Sequence, residues 1–546
     1  MNEDSAISHG MDGALVLHSQ DTIEESHELK EWERRFGNNI MLIPSGDYKS
    51  YLDIVRDASI EVNEIPSFMF LFPSMPSWER RVSNAESFCE HGDFALQHFV
   101  HADQSNSQVC YVKEPRAWIS DYSPNLQNAV YPTANKLLNN IELNEALQII
   151  RFDPDATDEV GIHTRRIYIG NPNGASILAL IRAVPATQVD GFRKLLAGYF
   201  ATPPVPSLML IDSDWWPPAS FIIAFNLPFF AISTTERQDH RKCGTNKNLR
   251  AQYSLEFLLL EESTSGEEFQ EATNSFGNLV LQEGVFSVMI TGQSDNYWTA
   301  ICLDDDFFDE HPRLCDDEIP ASDPIIQIPP PSPGGFWSPR AYALQALVLQ
   351  LGKIIEYHED VRYHLKISLD HYASMIQQDV ITEDSLERIK EWRRRFPKVL
   401  ASVMNSNSSL ALQLRDFILE DLKVGQDEAF HGILWQGLQG DNGALKSLRT
   451  IKSLHTQLRT TGVHLEHLKV AYEAIKHDNE RRREEARRND VRREENDAET
   501  NNAQSDKDRN KDNTVLRIAI AAFVSQPEAI GDFVRLNRRR DCKACL

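Results

Sequence analysis

A heptad repeat in the last third of the chain constrains the fold more than any other feature. The a positions are Ile451, Leu458, Leu465 and Tyr472, and the d positions are Leu454, Thr461, Leu468 and Ile475. An isolated helix cannot bury such an apolar seam over four repeats, so the helix needs a partner. We therefore predict a long helix over 443–479 that packs either on a second copy of the chain or on neighbouring helices of the same chain.

The seam is followed by a charged stretch and then by a short apolar run. Residues 478–512 alternate runs of Arg and Glu and contain no Leu, Ile or Phe. Pairs of opposite charge four residues apart favour an exposed helix there, and the Asn and Asp content beyond Asn496 favours disorder. The apolar run 515–524 contains Arg517 and precedes Pro527, and it is shorter than the roughly 20 residues that span a bilayer.

Composition excludes several classes of function. The 546 residues are enough for about two to four domains. The formal net charge of -25 argues against general binding of nucleic acid, whose phosphates repel such a surface. Seven scattered cysteines are typical of reduced thiols in the cytosol, and no signal peptide precedes an apolar run. We expect a cytoplasmic protein, with membrane association as the alternative.

The region before the seam mixes strand and helix patterns. Short apolar runs at 166–170, 208–211, 221–225, 229–233, 285–290 and 298–303 read as strands. Helical spacing over 135–150, 175–183 and 185–199 places helices between them. The pattern predicts an α+β fold, a mixed α/β N-terminal region followed by an all-α helical bundle with a long coiled-coil helix.

Changes in composition predict the domain boundaries. The predicted parts are a flexible leader (1–25), a mixed α/β domain (26–303), an acidic and proline-rich linker (304–335), a helical domain with the long helix (336–477), a charged segment (478–512) and a tail (513–546). Prolines 329, 330, 331 and 333 stiffen the linker, because each fixes its own backbone φ. We place the main boundary in this linker.

An aspartate triplet is the best candidate for a metal site. Asp304, Asp305 and Asp306 supply the carboxylate oxygens that Mg²⁺ prefers, although their surroundings match no EF-hand loop. A solvated acidic linker explains the same residues. No nucleophile elbow, zinc-protease, kinase or dinucleotide-binding motif occurs, and we therefore expect no enzyme activity.

Three short motifs, in order, resemble the large cytosolic region of fungal CorA-like divalent-cation transporters. They are FIIAFNLPFF at 221–230, YWTAICL at 297–303 followed by Phe307 and Phe308, and SPRAY at 338–342. The order of mixed region, acidic and proline-rich linker, helices and charged helix also agrees, over about 140–525. The resemblance implies a homo-oligomer assembled through the long helix, and a role for Asp304, Asp305 and Asp306 in sensing Mg²⁺.

The chain departs from that family at its C-terminal end. In the family the long helix enters the first of two membrane helices, and a Gly-Met-Asn signature follows; here 515–524 stands at that point, without the signature or a second apolar segment. We expect a truncated or divergent member that is not itself a pore, and that meets a membrane only if an alternative C-terminus restores both helices. The alternative is a coiled-coil scaffold with no role in ion binding.

Overall fold

The computed structural model describes most of the sheet and the C-terminal helices. The described residues are 31–37, 49–58, 63–69, 76–90, 92, 96, 117–122, 136–149, 164–213, 220–234, 239, 241–243, 247–258, 279–306, 322–327, 338–377, 383–425 and 429–524. The predicted leader 1–25 and the end of the predicted tail beyond 524 lie outside these ranges, as do 307–321 and 328–335 of the predicted linker. The chain divides into two units, Met1–Lys469 and Val470–Leu546.

A mixed sheet in the N-terminal region is followed by a helical C-terminal region, which confirms the predicted fold class. The strands are β1 Ala117–Tyr122, β2 Lys136–Leu138, β3 Thr164–Gly170, β4 Ser207–Ser213, β5 Ser220–Thr234, β6 Lys242–Cys243, β7 Lys247–Asn248, β8 Gln252–Ser254, β9 Leu279–Gly292 and β10 Trp298–Asp304. The helices are α1 Glu31–Phe36, α2 Tyr51–Ala58, α3 Glu64–Met69, α4 Pro76–Cys89, α5 Asn140–Leu147, α6 Gly174–Ala183, α7 Val189–Tyr199, α8 Pro339–Met375, α9 Glu383–Asp416 and α10 Asn442–Val524.

The large sheet has the strand order β2-β1-β3-β10-β9-β5-β4, and β8 pairs with the outer part of β9. Only the β3–β10 pair is parallel among these described pairings. The longest ladder joins β5 to β9, from Phe221 opposite Gly292 to Thr234 opposite Leu279. The parallel pair brings the carboxyl ends of β3 and β10 to the same edge of the sheet.

Strand β5 unites two predicted strands across Pro228, and the geometry explains why proline is tolerated there. Strand β4 pairs with β5 only as far as Asn226, so Pro228 lies beyond it. The N–H of Phe230 points towards a helix rather than towards β9, because it donates to His358. Backbone groups alternate in direction along a strand, so the nitrogen of Pro228 also faces away from β9 and no ladder hydrogen bond is lost.

Both faces of the sheet are buried, because apolar side chains occupy alternate positions on each. Along β5, Phe221, Ile223 and Phe225 join a core with α8, α9 and α10, the C-terminal core. Ile222 and Ala224 join a separate core with α2 to α7, the N-terminal core. The sheet therefore lies between two helical layers, and the predicted boundary at 304–335 does not separate two independent cores.

Within the first unit, helix α10 buries its seam against helices of the same chain. Ile451, Leu454 and Leu458 belong to the C-terminal core. Thr461 is also buried, and its hydroxyl donates to Glu359 Oε1 of α8 at 2.6 Å. Asp441 caps the helix by accepting hydrogen bonds from the N–H groups of residues 443 and 444, which fixes the start near the predicted position. Assembly of copies through this helix stays a prediction.

In the second unit, α10 remains helical to Val524, which corrects the predicted disorder beyond Asn496. Asp478 pairs with Arg481 and Arg482 at 2.7 and 2.8 Å, one helical turn away. Tyr472 and Ile475, the last seam residues, are half-buried, and every residue from 481 to 521 is exposed. Within the described residues, no helix combines the length and the apolar composition needed to cross a membrane.

Replacing Leu465 and Leu468 together by Asp should destabilise the protein by at least about 3 kcal/mol, because both side chains are buried and a carboxylate in an apolar seam is costly. The matched control replaces Val463 and Val470 by Asp; these lie on the same helix with exposures of 53% and 56%. Urea denaturation should leave the control within about 1 kcal/mol of wild type. Equal stability of both double variants would contradict the buried seam.

Candidate functional site

A cluster of charged and aromatic side chains lies at the carboxyl ends of the parallel strands β3 and β10. Gly170 and Asp304, the last residues of these strands, lie opposite each other. The N–H of Asn171 donates to the carbonyl of Asp304 at 2.7 Å and ties the two ends together. In open sheets, the carboxyl ends of parallel strands are where binding sites commonly form. This edge of the sheet is therefore the candidate functional site.

Asp305 is the centre of the cluster and is 1% exposed. Its Oδ1 accepts hydrogen bonds from Tyr199 Oη and Arg241 Nη2, both at 2.8 Å. Its Oδ2 accepts from Arg250 Nε at 2.8 Å and from the N–H of Val285 at 3.0 Å. Burial acts to raise the pKa of this carboxyl, but the charges and hydrogen bonds of Arg241 and Arg250 outweigh it and lower the pKa to about 2. Asp305 is thus ionised at neutral pH.

Arg241 links the carboxylates of Asp239 and Asp305. It holds Asp239 in a bidentate pair, with both distances at 2.8 Å, and its Nη1 donates to Tyr199 Oη at 2.5 Å and to the carbonyl of Pro172 at 3.1 Å. Burial acts to lower the pKa of Arg241, but the two carboxylates outweigh it and raise the pKa. Two buried arginines therefore balance two buried carboxylates, which is the condition under which such charges are tolerated.

Arg250 is bonded at one end only. Its Nε holds Asp305, and the guanidinium carbon lies 4.6 Å from the centre of the Tyr199 ring, within cation–π distance. Its Nη1 and Nη2 are buried and have no hydrogen-bond partner among the described residues. Burying these nitrogens without hydrogen bonds costs free energy, and the aromatic face of Tyr199 offsets part of that cost.

Asp304 and Asp306 are placed differently from Asp305. The hydroxyl of Tyr168 lies 2.9 Å from Asp304 Oδ2 and 3.3 Å from Asp306 Oδ2. Consecutive side chains of an extended strand point to opposite faces, so Asp304 and Asp306 share one face and Asp305 occupies the other. The structure therefore does not bring the three carboxylates of the predicted Mg²⁺ site together.

These three residues are buried, whereas the predicted linker that begins at Asp304 would expose them to solvent. All three are at most 6% exposed, and β10 includes Asp304. Among the described residues, no group of three or more His, Cys, Asp or Glu side chains is arranged to hold a metal ion. The assignment of Mg²⁺ to this triplet stays a prediction, with two carboxylates on one face as its geometric basis.

A second buried ion pair fastens the linker to the sheet. Arg166 of β3 donates to Asp323 Oδ2 at 2.9 Å and to Ser120 Oγ at 2.8 Å. Tyr342, near the start of α8, donates its hydroxyl to the same oxygen of Asp323 at 2.8 Å. Asp323 thus connects β3 to the first turn of α8, and the described part of the linker is packed rather than extended.

A chain of polar groups joins the edge of β5 to three helices. The N–H of Phe230 donates to His358 Nε2 at 3.4 Å, so the ring proton is on Nδ1, which lies 3.1 Å from Asn407 Oδ1 and donates to it. Asn407 Nδ2 then donates to the carbonyl of Leu458 at 3.0 Å. Burial lowers the pKa of His358 to about 4, against the opposing effects of Asn407 and Glu359, and the ring is neutral.

The charged groups of these arrangements are engaged with one another, as a structural role requires. Each charged group of the two ion-pair clusters is engaged by a partner of opposite charge, and His358 uses both ring nitrogens. A general base needs an accessible lone pair near substrate, whereas the carboxylates of Asp239, Asp305 and Asp323 are buried and held by arginines. Sequence reasoning missed Arg241 and Arg250, since their partner Asp305 is more than 50 residues away; their only signal is two arginines flanking a short hairpin.

Comparison with known proteins finds similar chains among the solved structures. No family model and no curated protein matches the sequence. Among solved structures, the chain is similar to the cytoplasmic domain of ZntB from Vibrio parahaemolyticus RIMD 2210633, with 14% sequence identity and a TM-score of 0.26. The match covers 60% of this chain and 95% of the ZntB chain.

Asp305→Asn should destabilise the protein by about 3–5 kcal/mol at pH 7, because it leaves two buried arginines short of a carboxylate. The folded-state pKa is below the unfolded value of 3.8, so this contribution is present above pH 3.8 and is lost as the pH falls towards 2. Guanidinium denaturation between pH 7 and pH 2.5 should show that the difference in free energy of unfolding between variant and wild type becomes smaller below pH 3.8. Asp490→Asn, at an exposed position, is the control. A constant gap would contradict the buried pair.

His358→Leu should remove part of the acid sensitivity of the fold. The folded-state pKa is about 4 and the ordinary value is 6.5, so the unfolded chain binds more protons between these limits. Stability from this group is complete above pH 6.5 and decreases by on the order of 3 kcal/mol as the pH falls to 4. The measurement is the free energy of unfolding at both pH values, with exposed His467→Gln as control. An unchanged slope in His358→Leu would refute this role.

Proposed function

We propose that this chain is an assembly and regulatory module of the kind formed by the cytosolic regions of CorA-like divalent-cation transporters. In this proposal it acts by association through α10 on the cytosolic side of a membrane system, and it catalyses no reaction. The observation that carries the proposal is the difference in burial between the two parts of one helix. Ile451, Leu454 and Leu458 of α10 belong to the C-terminal core, whereas residues 481–521 of the same helix are exposed on all sides.

From 481 to 512 this helix is polar on almost all sides, which is typical of an element that contacts something else. It buries no apolar face of its own, so its role does not lie in stabilising a core. Helices in proteins gain most of their stability from packing against other elements. Ion pairs within the helix replace this stabilisation only in part. The order of elements, a mixed sheet, a packed linker, α8, α9 and then α10, is also the order that the sequence resemblance implies.

Sensitivity to Mg²⁺ is the second part of the proposal. The net charge of -25 attracts divalent cations to the surface. Asp304 and Asp306 place two carboxylate oxygens around the hydroxyl of Tyr168. This pair is the candidate for responding to the cation, and Asp305 is excluded from it by its arginines.

A specific observation also favours the alternative function, a scaffold with no ion role. The cluster around Asp305 is balanced in charge without a metal ion, since Arg241 and Arg250 face Asp239 and Asp305. In the scaffold, the same exposed helix binds a partner and the acidic residues serve folding alone. The two functions differ in whether assembly depends on Mg²⁺.

Light scattering of the purified chain, with and without millimolar Mg²⁺, distinguishes them. We expect a homo-oligomer whose mass or affinity increases with Mg²⁺, because the cation neutralises repelling carboxylates. The control is NaCl at matched ionic strength, which screens charge without coordinating. A homo-oligomer that ignores Mg²⁺ would favour the scaffold, and a monomer under all conditions would contradict assembly through α10.

A further inference from the structure

Helix α1, near the start of the chain, is docked on the C-terminal core by two aromatic side chains. Among the described helices that precede β4, α1 alone contributes to this core, through Trp32 and Phe36. Both side chains are at most 1% exposed, and their rings lie 5.0 and 5.3 Å from the ring of Phe221 in β5. Trp32 Nε1 donates to Asp295 Oδ1 at 3.0 Å, and the N–H of Asp295 donates to the carbonyl of Phe36 at 2.8 Å. The turn between β9 and β10 therefore holds both ends of α1.

Arg340 of α8 connects this docked helix to the segment that leads into α10. Its Nη1 donates to the carbonyl of Leu434 at 2.7 Å, and its guanidinium carbon lies 4.2 Å from the centre of the Trp32 ring. Glu33 Oε1 lies 3.7 Å from Arg340 Nη2. The same carboxylate is so close to Gly437 that a Cβ atom at position 437 would collide with it. Contacts of α1 therefore reach the residues that immediately precede α10.

Buried charge in this groove opposes the stabilisation that the aromatic side chains supply. Arg340 is 3% exposed, and its Nε has no hydrogen-bond partner among the described residues. Burial lowers the pKa of Arg340 to about 10 and raises the pKa of Asp295, although the charge of each opposes the shift of the other. A helix of six residues is not stable in water by itself, so α1 folds only where it is docked. Folding and docking of α1 are therefore one equilibrium.

We infer that this groove is a binding site for a short helix with the pattern W-x-x-x-F, and that α1 promotes assembly through α10 by occupying it. Side chains four residues apart lie on one face of a helix, and amphipathic helices bind grooves through such anchors. Without α1, Arg340 loses the ring of Trp32 and the carboxylate of Glu33, and the start of α10 is held less firmly. The inference rests on the proposed function and deepens it by naming the segment that regulates assembly.

Replacing Trp32 and Phe36 together by Ala in the full chain should release α1 from the groove. Amides of 434–445 should then exchange with solvent at least about tenfold faster than in wild type, because this segment loses its contacts through Arg340. The dissociation constant of the oligomer should rise at least about tenfold. The control is Arg34→Ala on the same helix, whose side chain is 67% exposed and whose removal should change neither quantity. A double variant that exchanges and associates like wild type would overturn the inference.

A synthetic peptide of residues 28–40, added to the double variant, tests the groove as a binding site. The peptide should bind the variant, slow the exchange of 434–445 and restore association. Wild type should bind it at least about tenfold more weakly, because its own α1 competes at high effective concentration. The control peptide carries Trp32→Ala and Phe36→Ala and should not bind. Fluorescence anisotropy of the labelled peptides measures binding, and a folded double variant that does not bind the wild-type peptide would overturn the inference.

Glu33→Arg is a second variant that weakens docking without opening a cavity in the core. The Glu33 side chain is 45% exposed, and the substitution sets a positive charge beside Arg340. Exchange of 434–445 should be faster and association weaker, each by at least about threefold. An excess of the wild-type peptide should reverse both effects. A Glu33→Arg chain that matches wild type in both measurements would overturn the inference, also where the double variant does not fold.

The outcomes separate this inference from the proposed function. A peptide that binds and slows exchange, while the oligomer keeps the affinity of wild type in every variant, would overturn the regulatory role of α1 and leave assembly through α10 standing. A wild-type chain that stays monomeric at all concentrations, although the double variant binds the peptide, would overturn the proposed function and with it the link from α1 to assembly. Binding of the peptide together with recovered association supports both.

Discussion

The burial of both faces of the central sheet is the constraint on which the rest of the structure depends. Strands β5 and β9 carry apolar side chains at successive positions, so neither face tolerates water. One layer, α2 to α7, covers the first face, and α8 to α10 must cover the second. The C-terminal helices are for this reason part of the sheet's fold rather than a separate bundle, and the start of α10 is held by the same core as Phe225.

Burial of this kind leaves polar groups that have to be satisfied inside the protein. Beyond the end of β4, the open edge of β5 bonds to His358 and, through Pro228, to Ser406. At the carboxyl ends of β3 and β10, Asp305 collects four hydrogen bonds and joins Arg241, Arg250 and the backbone of β9. Such groups are costly to bury and costly to leave unpaired, so they specify one arrangement of the loops around the sheet.

Local patterns foretold most elements, and long-range pairing accounts for most of what they missed. The strands β3, β4, β9 and β10, the helices α6 and α7 and the first part of α10 follow from periodicity. Pro228 suggested a break in β5 because the direction of its backbone nitrogen is invisible in sequence. The aspartate triplet suggested a solvated or metal-binding linker, since Arg241 and Arg250 lie far away in sequence. Beyond Asn496, composition favoured disorder, whereas the chain continues the helix set by the preceding turns.

The two-sided sheet domain is followed by a helix that is buried at one end and exposed over the rest. Because α10 and the sheet share the C-terminal core, we predict that α10 opens together with the sheet, and native-state hydrogen exchange measures this directly. Amides of 442–468 should exchange with the same free energy of opening as those of β5 and β9, close to that of global unfolding. Amides of 442–468 that exchange through an opening of much lower free energy than those of β5 and β9 would contradict the core that α10 shares with the sheet.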